Sequence, residues 1–353
     1  MGRLQHRHAQ LRPRPTPSHF VAIYTPVADG WNELARLEIS NAAMAGDPLI
    51  DYGPDFVAPD GLRQAEIDPS RIWLTVDGGA GAHSGTFQVL SFDGETLQQE
   101  VGGASASPGA GYLADVNGDG QNDVVLNATE YYVFCYACGV RHPYFSVYTW
   151  LGDAMFPVEI SALMMGQRGT PPDEANSRAV ALAQAGLWPD ALAAIKEAEN
   201  LAGGDDPPTP SGSLHWNAAL IQLNHDAQLA ALQDSPYPLL GNVFFGDYAA
   251  AVDLMRAWPV EQVFAADTPL VKGTVAEDWQ AELSSYLVQS ATAALDVDPH
   301  RAPAYFVRAW GAYLADPTDP QIAADMAAAA LLDPADPLFA AAARLFPASA
   351  PAS

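Results

Sequence analysis

The sequence predicts an α+β protein in which an antiparallel β domain over residues 20–165 precedes an α-helical domain over residues 174–346. The first part is rich in aromatic and β-branched residues separated by glycine-containing turns, which is typical of strands. In the second part, alanine and leucine recur at helical spacing. Between them, residues 166–173 read Gly-Gln-Arg-Gly-Thr-Pro-Pro-Asp. This composition predicts a linker.

The net charge of the chain limits the kinds of partner that it can bind. Its 42 acidic residues against 16 lysines and arginines give a net charge of −26. Such a surface repels phosphate backbones, so we expect no nucleic-acid partner. No apolar run is long enough for a membrane-spanning helix, so we expect no membrane span.

The first 19 residues differ from the rest of the chain. They contain four arginines and no acidic residue, and they lack the apolar core of a secretory signal. With three prolines among residues 13–17 they are expected to form a disordered basic tail. A short C-terminal tail is predicted at 347–353.

Several strands are predicted in the β domain. Residues 20–24 and 35–39 flank a turn at Asp29-Gly30, and residues 71–76 alternate as a half-buried strand does. Residues 86–92 run into Asp93-Gly94, a strong hairpin signal. Further strands are predicted at 124–126, 131–134, 144–150 and 155–158.

Residues 115–123, which read Asp-Val-Asn-Gly-Asp-Gly-Gln-Asn-Asp, are the most informative segment. Side-chain oxygens stand at loop positions 1, 3, 5 and 9, and the main-chain carbonyl of the residue at position 7 adds another. A hard cation such as Ca²⁺ takes six to eight oxygens, and the two glycines give the loop the freedom to wrap it. The predicted Ca²⁺ ligands are Asp115, Asn117, Asp119, Gln121 and Asp123.

The two alternatives to this type of calcium loop are an EF-hand and a metal-free turn. An EF-hand needs a glutamate at position 12, where this chain has Leu126. A metal-free turn is also compatible with an Asn-, Asp- and Gly-rich segment. The agreement between ligand spacing and glycine spacing favours a calcium loop that leads into a strand.

This loop and the hairpin after it resemble a known family. Val124, Val125 and Leu126 follow the loop, and Tyr148 and Trp150 then precede Gly152 in a Tyr-x-Trp-x-Gly pattern. Together they resemble a blade of the FG-GAP/VCBS type over about residues 70–160. The resemblance implies calcium-stabilised, propeller-like blades, although a propeller needs four to eight of them and this chain has room for two or three.

The helical half resembles degenerate tetratricopeptide (TPR) repeats. Helix–turn–helix patterns surround Gly186 and Gly246, and two helices end at Pro299 and Pro334, which are 35 residues apart. That separation is close to the 34-residue period of the family. The resemblance implies a solenoid that binds a protein or peptide on a concave surface, where Tyr305, Arg308 and Tyr313 would face outward. The alternative for the two tyrosines is that they fill the core between repeats. A generic helical bundle is the alternative.

Both cysteines of the chain lie in the segment Cys135-Tyr136-Ala137-Cys138. A local disulfide suits a loop in an oxidising compartment and is the favoured interpretation. Free thiols, a zinc half-site that includes His142, and a redox pair remain open, although the redox pair lacks its βαβ context.

These features favour a non-enzymatic, extracytoplasmic protein that binds Ca²⁺ and mediates protein–protein interaction or assembly. Its partner would be a protein, a peptide or another copy of the chain, bound on the helical domain. No catalytic residue is assigned, since the nucleophile-elbow, zinc-peptidase and phosphate-loop motifs are absent from the sequence. The alternatives are a surface-layer or extracellular filament subunit, and a hydrolase or carbohydrate-active protein with catalytic acids on the β domain.

Overall fold

A computed structural model describes residues 19–39, 53–162, 170–203 and 213–347. The predicted basic tail apart from His19, residues 166–169 of the predicted linker and the C-terminal tail apart from Pro347 lie outside the described residues. Thr170 caps a helix that begins at Pro171, so the described end of the predicted linker is already helical.

The predicted fold class is confirmed at the level of its two parts. Antiparallel sheets come first, and a region of nine helices of eight or more residues and one single-turn helix follows within the described residues. The strands are β1 (Phe20–Val27), β2 (Gly30–Glu38), β3 (Phe56–Ala65), β4 (Ile72–Ala80), β5 (Ser84–Phe92), β6 (Leu97–Ser105), β7 (Gly111–Ala114), β8 (Asp123–Asn127), β9 (Phe145–Trp150) and β10 (Met155–Val158). The helices are α1 (Pro171–Gln184), α2 (Trp188–Ala202), α3 (Leu214–Gln233), α4 (Pro238–Phe245), α5 (Tyr248–Met255), α6 (Val260–Val263), α7 (Gln280–Val297), α8 (Ala302–Ala315), α9 (Pro320–Leu332) and α10 (Pro337–Leu345).

The strands form three antiparallel sheets. Strands β1 and β2 make a hairpin, β3 to β6 make a four-stranded meander, and β7 to β10 make a second one. Every pair of neighbours in a sheet is also adjacent in sequence. The two four-stranded sheets share a core that includes Trp73 from β4, Leu126 from β8 and Trp150 from β9. The described residues do not form a closed propeller.

Strand β3 has no counterpart among the sequence predictions. Its segment contains Pro59, Asp60 and Gly61, which are typical of turns rather than strands. The pairing with β4 is interrupted between Val57 and Leu62, and Asp60 has a positive φ of 59°. A Cβ at Gly61 would lie 2.3 Å from the carbonyl oxygen of Asp77, so only glycine fits this bulge.

The strand predicted at 131–134 is wrong. These residues form bends, and Val133 and Phe134 are both buried in the helical core, where a half-buried strand would alternate. The Phe134 ring lies 6.1 Å from that of Tyr237 and 6.5 Å from that of Trp279. Helices therefore cover a segment that the local sequence assigns to the sheet.

Helix α8 carries the three side chains predicted to face outward, and all three are half-buried. The Tyr313 hydroxyl donates to the Phe264 carbonyl oxygen at 2.5 Å, and Tyr305 packs against the helical core. Arg308 makes two hydrogen bonds of 2.8 Å to Asp325, which is 1% exposed. The three side chains are thus used within the fold.

The second four-stranded sheet packs directly on α3. Trp216, which is 1% exposed, contacts a cluster with Val125 and Val147 from the sheet. The amide of Asn217 exchanges hydrogen bonds with the backbone of Ser161 at 3.1 and 2.9 Å, and Gln228 donates to the carbonyl oxygen of Pro143. The β and helical parts therefore share buried surface across the predicted boundary.

Candidate functional site

The predicted calcium loop joins β7 to β8 as the connection of a hairpin. Ala114 pairs with Asp123 in the antiparallel register, so the two ends of the loop are held opposite each other. Gly118 and Gly120 have φ values of 75° and 90°, in the left-handed region that favours glycine. The glycine spacing in the sequence therefore has a direct conformational cause.

Side-chain oxygens fill the inside of this loop and accept from its amides. Oδ1 and Oδ2 of Asp115 accept from the backbone N–H groups of Asp119 and Gly120 at 3.0 and 2.9 Å. Oδ1 of Asn117 also accepts from the Asp119 amide, and Oδ1 of Asp119 accepts from the Gln121 amide. The Asn117 side-chain amide donates to Oδ2 of Asp119 at 2.8 Å. The carboxylates thereby hold the loop in a compact turn.

Asp123 differs from the other acids of the loop. It is 1% exposed; Oδ2 accepts from the Val116 amide at 3.1 Å, whereas Oδ1 has no hydrogen-bond partner. Burial raises the pKa of Asp123 to about 6. Hydrogen bonds from the Thr149 side chain and the Val116 amide act in the opposite direction, and the carboxylates of Asp119 and Asp115 act in the same direction as burial. A buried oxygen without a partner destabilises the folded state, because it has lost its hydrogen bonds to water and no protein hydrogen bond replaces them.

Two side chains anchor the loop to its surroundings. Nε2 of Gln121 donates to the carbonyl oxygen of Trp150 at 3.0 Å. Nδ2 of Asn122 donates to the carbonyl oxygen of Glu66, just beyond β3, at 2.7 Å. The rings of Trp150 and Trp73 meet edge to face at 4.9 Å beneath. The loop conformation is therefore coupled to the packing of one four-stranded sheet against the other.

The donor set of the loop fits a hard cation in chemistry. Carboxylate and amide oxygens are the ligands that Ca²⁺ prefers, and an oxygen that accepts one hydrogen bond keeps a second lone pair. In the conformation observed, however, no three acidic, histidine or cysteine side chains within the described residues are spaced to hold a metal ion. Binding would therefore require Asp115 and Asp119 to turn partly away from the amides that they now accept from.

The two cysteines flank a single 3₁₀ turn, Tyr136–Cys138: Cys135 is its N-cap and Cys138 its last residue, ahead of Gly139 in the left-handed region. Their sulfur atoms are joined in a disulfide, with Cα atoms 5.0 Å apart. A zinc site would need both sulfurs as thiolates. In this oxidised form neither cysteine offers a thiolate to a metal.

We predict that protein taken from an oxidising compartment carries this disulfide. Its intact mass should be lower than that of the reduced protein by the two thiol hydrogens. Because the closed loop is very short, reduction should lower the free energy of unfolding by only about 2 kcal/mol. A variant with alanine at both Cys135 and Cys138 should be insensitive to the reductant, and two freely alkylating thiols in native protein would contradict the prediction.

A cleft of about 750 Å³ lies between the second four-stranded sheet and the helices. Strands β9 and β10 form one wall, and the end of α1, the start of α2 and parts of α3, α4 and α7 form the other. The aromatic lining residues are His142, Tyr144, Phe145, Tyr148, Trp188, Phe244 and Tyr286, and the acidic ones are Glu130 and Glu159.

His142 lies in this cleft as part of an aromatic stack. Its ring is parallel to that of Phe244 at 3.9 Å and lies 4.5 Å from that of Tyr144. Burial lowers the pKa of His142 to about 4 from its ordinary value of 6.5. The titratable groups that line the cleft with it are Glu130, Tyr144, Tyr148, Glu159 and Tyr286.

The low pKa of His142 predicts a loss of stability in acid. Between about pH 6.5 and pH 4, His142 is protonated in the unfolded chain but neutral in the folded state. The free energy of unfolding therefore falls as the pH falls through this window. The full effect is on the order of 3 kcal/mol. Urea unfolding of the parent and of His142→Phe should diverge below pH 6.5, since phenylalanine keeps the stack and cannot titrate. Parallel pH profiles would contradict this.

No protein-family model matches this chain, and no curated protein has a significantly similar sequence. None of the described helices combines the length and the apolar composition needed to cross a bilayer. A function for this chain therefore has to be inferred from its residues and their geometry. Sequence reasoning found the loop but missed the cleft, because Glu130, Trp188 and Tyr286 are far apart in the chain and share no local motif.

Proposed function

We propose that this chain is a non-enzymatic, calcium-binding protein that acts outside the cytoplasm in protein–protein interaction or assembly. Ca²⁺ would be held by Asp115, Asn117, Asp119 and Asp123 with the main-chain carbonyl of Gln121. Its role would be structural, because the loop is anchored to both four-stranded sheets. The tertiary arrangement would then comprise two propeller-like blades followed by TPR-like helix pairs.

The observation that carries this proposal is the unpartnered Oδ1 of Asp123, 99% of whose surface is removed from solvent. A buried carboxylate is stable when a cation or several donors compensate it. The Asp123 carboxyl faces the Val116 amide inside a loop with three further side chains that carry oxygen ligands. A cation bound there would supply the missing partner.

Two features support the proposed extracytoplasmic location. A loop with few charges suits the millimolar calcium outside cells better than the low cytosolic concentration. A disulfide between Cys135 and Cys138 persists in an oxidising compartment.

Calcium titration of the full chain tests the proposal. Calorimetry should detect one site, and the melting temperature should rise with Ca²⁺ and fall when a chelator is added. Asp119→Ala should lose both responses, since it removes a ligand from the middle of the loop.

Asp93→Ala is the matched control for this experiment. The Asp93 carboxylate also accepts hydrogen bonds from backbone amides in a hairpin turn, from Glu95 and Thr96. It lies outside the predicted calcium loop. Its calcium response should equal that of the parent. Equal titrations of Asp119→Ala and the parent would overturn the proposed site.

One observation favours self-assembly as a second candidate function. The β1–β2 hairpin buries one face on the first four-stranded sheet, but Phe20, Tyr24, Trp31 and Leu34 are exposed, and Trp31 is 71% exposed. Exposed apolar residues on a short hairpin are a typical contact between copies. If this surface assembles the chain, Trp31→Ser should lower the mass measured by light scattering at high concentration. An unchanged mass would argue against it.

A further inference from the structure

The cleft between β9–β10 and the helices carries negative charge without a counterion. Glu130 and Glu159 line it, and neither forms an ion pair with the described residues. No lysine or arginine is among the residues that line the cleft. Both glutamates are exposed to solvent, and Glu130 accepts a hydrogen bond from the backbone N–H of Tyr132 at 2.5 Å.

Aromatic rings line the cleft beside these carboxylates; Tyr144 is 46% exposed, whereas Phe244 is buried and stacked on His142. The Phe244 and Tyr286 rings meet edge to face at 5.2 Å, next to the stack that His142 and Tyr144 make. Glu130 and Tyr286 line the cleft together. Burial raises the pKa of Tyr286, and the charges of Glu130 and Glu282 act in the same direction. Aromatic faces attract cations through the ring quadrupole, and the attraction is stronger for a guanidinium that can stack.

We propose that this cleft binds an arginine or lysine side chain of a peptide segment from a protein partner. This deepens the proposed interaction function, on which it depends, by locating the contact at the sheet–helix junction. Carboxylates would pair with the cation while the aromatic residues pack on its apolar stem. A volume of about 750 Å³ is larger than one side chain needs and suits a few flanking peptide residues.

Fluorescence anisotropy on the full chain at physiological salt tests this. The probe is a labelled decapeptide with two arginines in an otherwise Gly-, Ala- and Leu-containing sequence. The same peptide with citrulline in place of arginine keeps the shape and removes the charge. We expect the arginine peptide to bind the parent at least about tenfold more tightly than the citrulline peptide, as a change of about 1.4 kcal/mol gives.

The double variant Glu130→Gln, Glu159→Gln should weaken binding of the arginine peptide by about tenfold, and Tyr286→Leu by several-fold. The control is Glu199→Gln, Glu261→Gln, which changes the net charge equally at two glutamates that do not line the cleft. It should bind within about twofold of the parent. All variants should keep the circular dichroism spectrum and melting temperature of the parent.

Three outcomes would overturn the inference. Equal binding of the citrulline peptide would remove the charge recognition. Equal weakening by the control variant would show diffuse electrostatic attraction rather than this cleft. Free argininamide binding as tightly as the peptide would make the occupant a small cation. Since none of these measurements depends on calcium, a failed calcium titration and a failed peptide experiment are distinguishable.

Discussion

Replacement of Trp216 by alanine should lower the free energy of unfolding by about 3–5 kcal/mol, as the truncation of a fully buried tryptophan does. Trp216 is 1% exposed and packs from α3 against Val125 and Val147 of the second four-stranded sheet. The cavity would open at the junction between the β and helical parts. We therefore expect the parent to unfold in one transition and Trp216→Ala to separate it into two.

Urea unfolding followed by near-ultraviolet and far-ultraviolet circular dichroism measures both effects. Trp258→Ala is the control, because Trp258 is 41% exposed in the turn between α5 and α6. It should change the stability by less than about 1 kcal/mol. If Trp216→Ala proved as mild as the control, or if the parent already unfolded in two steps, the shared core at this junction would not couple the two parts.

Replacement of Asp123 by asparagine should change stability in opposite directions with and without calcium. In chelator at pH 7.5, the variant should be more stable than the parent by on the order of 2 kcal/mol, because the folded state no longer buries a carboxylate with one unpartnered oxygen. In calcium at about 100 times the dissociation constant, the parent should gain about 2.7 kcal/mol and the variant almost nothing.

The pH dependence provides a second check on Asp123. Its pKa in the folded state is raised to about 6 from 3.8. Burial of the ionised carboxylate therefore destabilises the folded state fully above pH 6, and this loss of stability disappears as the pH falls below 3.8. The advantage of Asp123→Asn in chelator should shrink accordingly. Asp93→Asn, at an exposed hairpin, should behave as the parent does with calcium. A variant that is destabilised in chelator and keeps its calcium response would contradict the site.

Much of the local structure was predictable from the sequence because it depends on neighbours in the chain. The alternation of residues 71–76 and the Asp93-Gly94 turn predicted the β4 and β5 strands, and the helix–turn–helix pattern at Gly186 predicted α1 and α2. The predicted calcium loop was recognised in the same way, since its side-chain oxygens and its two left-handed glycines all lie within nine residues. The predicted ligand set stays a prediction until a cation is titrated.

Long-range packing decided the rest. Val133 and Phe134 have the composition of a strand, but helices bury both side chains, so the burial period of a strand is lost. Arg308 and Tyr313 look like surface residues of a first repeat helix, yet Asp325 and the Phe264 carbonyl oxygen engage them. The type of a residue limits the contacts that its side chain can make. Which contact it makes depends on elements that lie elsewhere in the chain.

The same distinction separates the two candidate sites. The sequence by itself determined the loop at residues 115–123, because a turn of nine residues brings its own side-chain oxygens together. Only the tertiary structure decided the acidic, aromatic cleft, because Glu130 from the β part and Tyr286 from α7 line it together. It also decided that Oδ1 of Asp123 is buried without a partner, since burial is a property of everything that packs around the loop.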